Sequence, residues 1–370
     1  MARILLIGNY GPSVLLFYGD LIRRLTALGH QVHASAPEGG AALSADLAGV
    51  GARFHQVPLA RAGINPFADR AYGRRLGTLM RKIRPDLVLT YTAKPNIWGA
   101  FAAARAGIRS IAMVNGLGYA FMSGGGIKQR IARWAVAFLC RRATRLNHRV
   151  IFLNPDDRQL FLATGMLADP GKARMLNGNG VDMAHYARAP LPDGPVFLMI
   201  SRLVGDKGVR EYGEAAVAVK RIHPEARFFL VGYMDANPDC IAQTELDVWI
   251  AGGLEFLGRL DDIRPAMAEA SVYCLPSYRE GLPRSSLEAM AMGRPVITTD
   301  APGCRETVVD GETGLMIPPR DMRALQAAME RLIAEPALRA RMGAAGYERA
   351  SALYDVHKVT EALIGHLELE

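Results

Sequence analysis

Short apolar runs recur along the chain and alternate with stretches of helical periodicity. RILLIG, from Arg3, leads into LFYGDLIRRLTALGH. QVHASAP, DLVLTYT, RSIAMVNG, RVIFLN and ARMLNGNGVD follow. After Asp193 the pattern restarts with PVFLMISRL and continues through REYGEAAVAVKRIHP, ARFFLVGY, LEFLGRL, SVYCLPS and RPVITTD. Such runs read as strands buried on both faces, and the helices between them predict parallel sheets joined by crossovers. The expected class is α/β, with two doubly wound Rossmann-like domains facing across a cleft and ligands held in the loops after the strand ends. ARAPLPDGP (187–195), rich in proline, is the expected linker. It divides the chain into an N-terminal domain, 1–186, and a C-terminal domain, 187–355.

Composition agrees with a folded two-domain chain: 370 residues, 50% hydrophobic and 22% charged. The apolar part of MARILLIGNYGPS is too short for a signal peptide and reads as the first strand. No segment approaches the roughly 20 apolar residues that span a bilayer. Cys140, Cys240, Cys274 and Cys304 show no CxxC or histidine-linked metal spacing. They read as reduced, mostly buried thiols of a cytoplasmic protein. Charge is uneven. Residues 1–185 hold 24 Lys and Arg against 9 Asp and Glu, a balance of +15; residues 186–370 hold 20 against 27, a balance of −7, and the two give the chain's +8. The basic half is expected to face an anionic surface or substrate. It carries no zinc finger, aromatic RNA-binding motif or basic zipper, so nucleic acid is not an expected partner.

Candidate chemistry collects after the strands. GNYGPS follows the first run, where Gly8 and Gly11 let a ligand approach the backbone; a plain tight turn reads the same way. In SRLVGDKG, Arg202 offers a fork of donors and Lys207 a point charge, a pair suited to a diphosphate. Two solvated cations are the alternative. NGNGVD (177–182) is a polar turn near the junction. In GRLDDI the main-chain groups of Arg259 and Leu260 suit the edge of a base. His30, His33 and His223 read as structural or surface residues.

REGLPRSSLEAMAMGRP (279–295) predicts a loop, then a helix with Pro283 in its first turn and Gly293 as its stop. Glu280 then lies at the positive end of that helix and Glu288 inside it, with the amides of Gly281, Leu282 and Arg284 close by. A helix N-terminus favours phosphate, whereas carboxylates accept hydrogen bonds from sugar hydroxyls. Together they point to a nucleotide sugar. By spacing alone, a solvated Glu280 and an ordinary surface Glu288 stand equally.

In full context these motifs resemble the retaining GT-B glycosyltransferases of glycosyltransferase family 4. SRLVGDKG, FLGRLDD and LPSYREGLPRSSLEAMAMGRPVITTDAPGCRETVVDGETG carry the resemblance, with the helical stretch that follows. It covers nearly the whole chain. ARAGINPF, AKPNIWG, NGLGYAF, IFLNPDD and GYMDANPDC are similar to segments of members that build glycans on lipid carriers. The resemblance implies that Glu280 holds donor-sugar hydroxyls and Glu288 the ribose diol. Arg202 and Lys207 would neutralise the departing diphosphate. The amides of Gly281 and Leu282 would touch sugar or phosphate, and Gly11 would let the first loop approach the diphosphate. Lys94, Asn96, Asn115 and Gly118 fall on the acceptor or sugar side. Many relatives carry a histidine after the strand read as LVLTYT, and Ala93 stands there here. A terminal helix, about 356–370, is expected to pack back on the first domain. No cofactor and no metal are implied, because the UDP-sugar is a substrate.

The activity expected is transfer of a sugar, a HexNAc, from a UDP-sugar to a polyprenyl-diphosphate-linked saccharide in bacterial glycan assembly. A UDP-sugar 2-epimerase of the same architecture and a non-catalytic binding subunit are the alternatives. GIKQRIARWAVAFLCRRATRLNHR (126–149) adds a membrane expectation. Lys128, Arg130, Arg133, Arg141 and Arg142 flank an apolar stripe with Trp134, as in a helix at a lipid interface. A core-packing helix with a solvated basic side is the competing reading. The expected place is the inner face of the cytoplasmic membrane, held peripherally.

Overall fold

The apolar runs form the strands of two all-parallel sheets. The computed structural model describes residues 1–60, 65–116, 127–234, 237 and 239–369; the side chains of 127–129, 131 and 132 lie outside that description. The chain divides into two compact units, Met1–Asn179 with His357–Glu370, and Gly180–Val356.

The first unit holds β1 (Arg3–Ile7), β2 (Gln31–Ala36), β3 (Ala52–Gln56), β4 (Leu87–Tyr91), β5 (Arg109–Val114), β6 (Arg149–Phe152) and β7 (Ala173–Met175). Its helices are α1 (Gly11–Ala27), α2 (Gly40–Gly49), α3 (Pro66–Ile83), α4 (Ala93–Arg105), α5 (Ile127–Leu146) and α6 (Pro155–Ala163). The sheet order is β3-β2-β1-β4-β5-β6-β7. The second unit holds β8 (Val196–Ile200), β9 (Arg227–Val231), β10 (Leu254–Gly258), β11 (Val272–Leu275), β12 (Val296–Thr299) and β13 (Gly314–Ile317), in the order β10-β9-β8-β11-β12-β13. Around them lie α7 (Val209–Ile222), α8 (Gln243–Ala251), α9 (Arg264–Glu269), α10 (Arg284–Ala291), α11 (Met322–Ala334) and α12 (Pro336–Leu353). In each sheet the order reverses once, between β1 and β4 and between β8 and β11. Ligands of doubly wound sheets bind outside the strand ends at such a switch.

The central strands are apolar because both faces are covered: β4 is buried along its whole length, as is β11. β3 and β13 are edge strands absent from the apolar pattern. ARFHQ has an exposed Arg53 and half-buried Phe54 and His55, and GLMI is only four residues long.

The division differs from the expected one. It falls at Gly180, not after residue 186. Val181 already belongs to the second unit, giving its N–H to Tyr354 O and accepting from Val356 N. The expected linker is pinned there as well. Arg294, with no exposed surface, donates to the carbonyls of Ala189 and Pro190 as well as Met267 and Ala268. The last helix, α13 (Val356–Leu367), returns to the first unit: Glu361 pairs with Arg24, and Arg109 donates to the carbonyls of Leu367 and Glu368. Among the described residues no helix is long and apolar enough to cross a membrane. The four cysteines are free thiols, and burial pushes Cys140 and Cys304 up to about 12.

Candidate active site

In the second unit the switch between β8 and β11 brings Arg202, Lys207 and Glu280 of the expected donor residues together. Arg202 and Lys207 follow β8, Lys207 ending a short 3-10 turn, Gly205–Lys207. Gly208 closes that turn at φ +72°, with its α-carbon against the carbonyl of Pro276. A side chain there meets both the left-handed backbone and the Pro276 oxygen, so only glycine fits. The turn is tied to the loop after β11: Asp206 O accepts from Tyr278 N at 2.9 Å and from Ser277 Oγ at 3.2 Å. On the other side Glu280 N donates to Pro302 O at 2.8 Å. Gly303, at φ +80°, lies against the Glu280 carbonyl with no room for a Cβ.

This scaffold sets Lys207 Nζ 2.5 Å from Glu280 Oε1, with each side chain 17% exposed. Neither is the solvated residue of the alternative set out above. Arg202 is exposed beside them. Asp206, which the sequence reading passed over, sits among these charges. Burial raises its carboxyl above the usual range, Lys207 and Arg202 pull it back, and Glu280 and Asp239 raise it again. Its Oδ1 is buried without a partner.

Glu288 is no surface residue either. It is 5% exposed on α10, and Arg284 Nε donates to its Oε1 at 2.8 Å. Burial, then the Glu288 carboxylate, raise the phenol of Tyr186. Tyr273 anchors the start of α10 with a 2.6 Å hydrogen bond to Ser285 Oγ. Pro283 is the N-cap in extended backbone, one position ahead of the expected first turn, and Gly293 follows the helix at φ +80° as expected. Gly281 and Leu282 lie in the loop between Glu280 and α10, half-buried. Arg259 and Leu260 follow β10. Arg259 is exposed with its guanidinium 5.7 Å from the Tyr233 ring, and Leu260 packs on the core.

At the β1/β4 switch of the first unit a polar cluster forms. Tyr91 OH lies 3.0 Å from Ser13 Oγ, and Asn115 Nδ2 donates to Tyr18 OH at 2.8 Å. Asn115 Oδ1 is buried without a partner. Gly11 opens α1, its α-carbon against the Glu38 carbonyl, so in this unit its bareness serves packing. Lys94 and Asn96 are engaged by the fold. Lys94 pairs with Asp69 at 2.8 Å and donates to Ala60 O at 2.7 Å; Asn96 donates to Met113 O at 2.8 Å and accepts from Thr90 at 2.7 Å. Gly118 lies outside the described residues. Thr92, also passed over, has φ +70° and ψ 156°, a region used almost only by glycine, and its Oγ1 is buried without a partner. Threonine gives no compositional sign of such a backbone.

On α5 the expected stripe splits. Leu139 packs inward, whereas Trp134 (70% exposed) and Phe138 (46% exposed) stack on each other outside. Arg130, Arg141 and Arg142 are exposed, Arg133 is half-buried, and the side chain of Lys128 lies outside the described residues.

Cations beside a helix N-terminus, two fixed carboxylates and a doubly wound sheet suit a glycosyltransferase, and sequence comparison agrees over most of the chain. Residues 17–180 match the family described as "Glycosyl transferase 4-like domain" and residues 194–335 match "Glycosyl transferases group 1". The chain belongs to these GT-B glycosyltransferases and is a sugar-transferring enzyme. It is similar to N,N'-diacetylbacillosaminyl-diphospho-undecaprenol alpha-1,3-N-acetylgalactosaminyltransferase of Campylobacter jejuni, 26% identical with 91% of each chain covered. It is also similar to UDP-Gal:alpha-D-GlcNAc-diphosphoundecaprenol alpha-1,3-galactosyltransferase of Escherichia coli, 27% identical over 75% of this chain and 73% of that one. Its fold matches that of HepE of Anabaena, solved in complex with UDP-glucose, at a TM-score of 0.80, 19% identity and 99% coverage of each chain.

Proposed function

We propose that this enzyme transfers a HexNAc, with retention, from a UDP-sugar to a polyprenyl-diphosphate-linked saccharide in bacterial glycan assembly. The observation that carries the reading is the convergence of Arg202, Lys207, Glu280 and the start of α10 at the β8/β11 switch. Breaking the anomeric C–O bond leaves negative charge on the UDP, and preorganised cations stabilise it. Arg202 and Lys207 take the diphosphate, Glu280 the sugar hydroxyls and Glu288 the ribose diol. Arg284 fixes Glu288 in one position, as a diol acceptor requires. These cations supply the charge that a metal supplies elsewhere, so activity should survive EDTA. Turnover that needs added magnesium would count against this mechanism.

The acceptor class is supported by the printed activities of the Campylobacter and Escherichia relatives, both acting on undecaprenyl-diphosphate-linked sugars. The 2-epimerase and non-catalytic readings have no comparable support, since the matched families are transferases. A lipid-borne acceptor places the enzyme peripherally on the inner face of the cytoplasmic membrane, with exposed Arg130, Arg141, Arg142 and Trp134 of α5 towards anionic lipid. A panel of UDP-sugars, scored for UDP release with and without a lipid-diphosphate saccharide, tests the whole proposal. Release independent of acceptor, or epimerisation of UDP-GlcNAc by the protein alone, would refute it. Flotation with anionic vesicles that persists at high salt would refute the electrostatic membrane contact.

A further inference from the structure

We infer that the groove between α4 and α5 seats the headgroup of one anionic phospholipid, with the start of an acyl chain against its aromatic wall. The open groove offers about 960 Å³, comparable with the roughly 300–1,000 Å³ of small-molecule sites. Its cations come from both helices: Arg105 from α4, and Arg141, Arg142 and Arg145 from α5. The lining contains no acid. Among the described residues none of these four arginines is held in an ion pair. Arg105 and Arg145 have an ordinary role as well, because each lies in the last turn of its helix, where a cation offsets the dipole. Arg141 and Arg142 have no such role. The Arg142 guanidinium stacks 5.6 Å from the centre of the Phe138 ring.

The walls decide the ligand class. Phe138 and Leu146 are 46% and 47% exposed, and Trp98 and Phe101 of α4 also line the groove. A small anion takes the arginines but leaves this apolar surface in water. An amphiphile covers both, its phosphodiester in the guanidinium forks and its chain along the rings. The site is also separate from the chemistry. Arg105 and Leu146 end their helices just before β5 and β6 begin, the end of the sheet opposite the ligand-binding loops. The inference rests on the proposed lipid-facing role of this unit, but not on the donor site.

Dihexanoyl phosphatidylglycerol, kept below its micelle concentration, should bind the full chain saturably at one site in calorimetry. Phosphatidylcholine of the same chains and inorganic pyrophosphate should each bind at least about tenfold more weakly. Arg105→Gln with Arg145→Gln should weaken phosphatidylglycerol roughly 30-fold, about 1 kcal/mol per arginine, with only the small fall in melting temperature that the loss of two helix-end cations brings. Unchanged affinity in that variant overturns the site. Equal affinity for pyrophosphate overturns the phospholipid as occupant, and equal affinity for phosphatidylcholine overturns the role of the arginines. If the double variant does not fold, Arg105→Gln alone, at an exposed helix end, carries the same test. No sugar donor is present, so lipid binding is scored whether or not the proposed transfer reaction holds.

Discussion

Glu280→Gln should make the enzyme bind UDP more tightly while transferring sugar more slowly. Lys207 Nζ donates to Glu280 Oε1 at 2.5 Å. A diphosphate that takes Lys207 must break this contact. A hydrogen bond to a charged group contributes about 1.5–3 kcal/mol net, and about 1.4 kcal/mol is tenfold in affinity. UDP bears this whole cost, because it brings no sugar hydroxyls to Glu280 in exchange. Glutamine keeps the shape and removes the charge, so UDP affinity should rise about tenfold. Transfer should fall, because the hydroxyls lose a charged acceptor. A lost preorganised contact at a reacting centre costs roughly 2.7–4 kcal/mol, on the order of 10²–10³ in rate. Calorimetry with UDP at one ionic strength, and UDP release with a lipid acceptor, measure the two effects. Lys207→Met is the control and should weaken UDP. Unchanged or weaker UDP binding in Glu280→Gln, with the melting temperature retained, would refute the competition.

Glu288→Gln should weaken UDP itself, because the carboxylate proposed for the ribose diol, 5% exposed and held by Arg284, is lost; a lower melting temperature with unchanged UDP affinity would leave Glu288 a structural residue. Thr92→Gly relieves a backbone conformation that costs about 1–3 kcal/mol, less about 0.5–1 kcal/mol of glycine entropy, so the melting temperature should rise while transfer to the lipid acceptor slows. A fall in melting temperature would show that the threonine side chain supports the turn. His33 and His55 lie 2.9 Å apart between β2 and β3, and burial lowers both, helped at His33 by His55 and at His55 by Lys82. The unfolded chain then binds more protons below its own histidine value of about 6.5. Stability is therefore full above that pH and falls as pH drops towards the folded values. Denaturant midpoints across this range should show the fall, and His33→Gln with His55→Gln should flatten it.

Much of this fold is legible because parallel strands covered on both faces must be apolar throughout, as LVLTY and VYCL are. Legibility fails where that demand relaxes. β3 borders its sheet and carries Arg53, His55 and Gln56, so it gives no apolar run. The boundary misled for another reason. APLPDGP has the composition of a linker, but Arg294, far along the chain, holds its carbonyls. A buried guanidinium needs several acceptors in place of water, and that requirement cannot be read from the proline-rich stretch.

The site shows the same limit more sharply. The spacing of Glu280, Pro283, Glu288 and Gly293 announces a loop and a helix with acids at the start and within, and α10 lies there. Spacing does not say whether those acids meet water or each other's counter-ions. Lys207 and Glu280 are separated by 73 residues and meet only because Gly208 and Gly303 let three loops close on one another. Once they meet, the pairing has a physical necessity. A site for a diphosphate needs a cation withdrawn from water, and a site for sugar hydroxyls needs an acid withdrawn beside it. Each alone is costly to bury. Joined, they satisfy one another, and a complete nucleotide sugar, as proposed, offers a new partner to both. UDP replaces one partner of two. Under the proposed roles of Lys207 and Glu280, the ion pair that looks like simple stabilisation should therefore also disfavour the product relative to the donor.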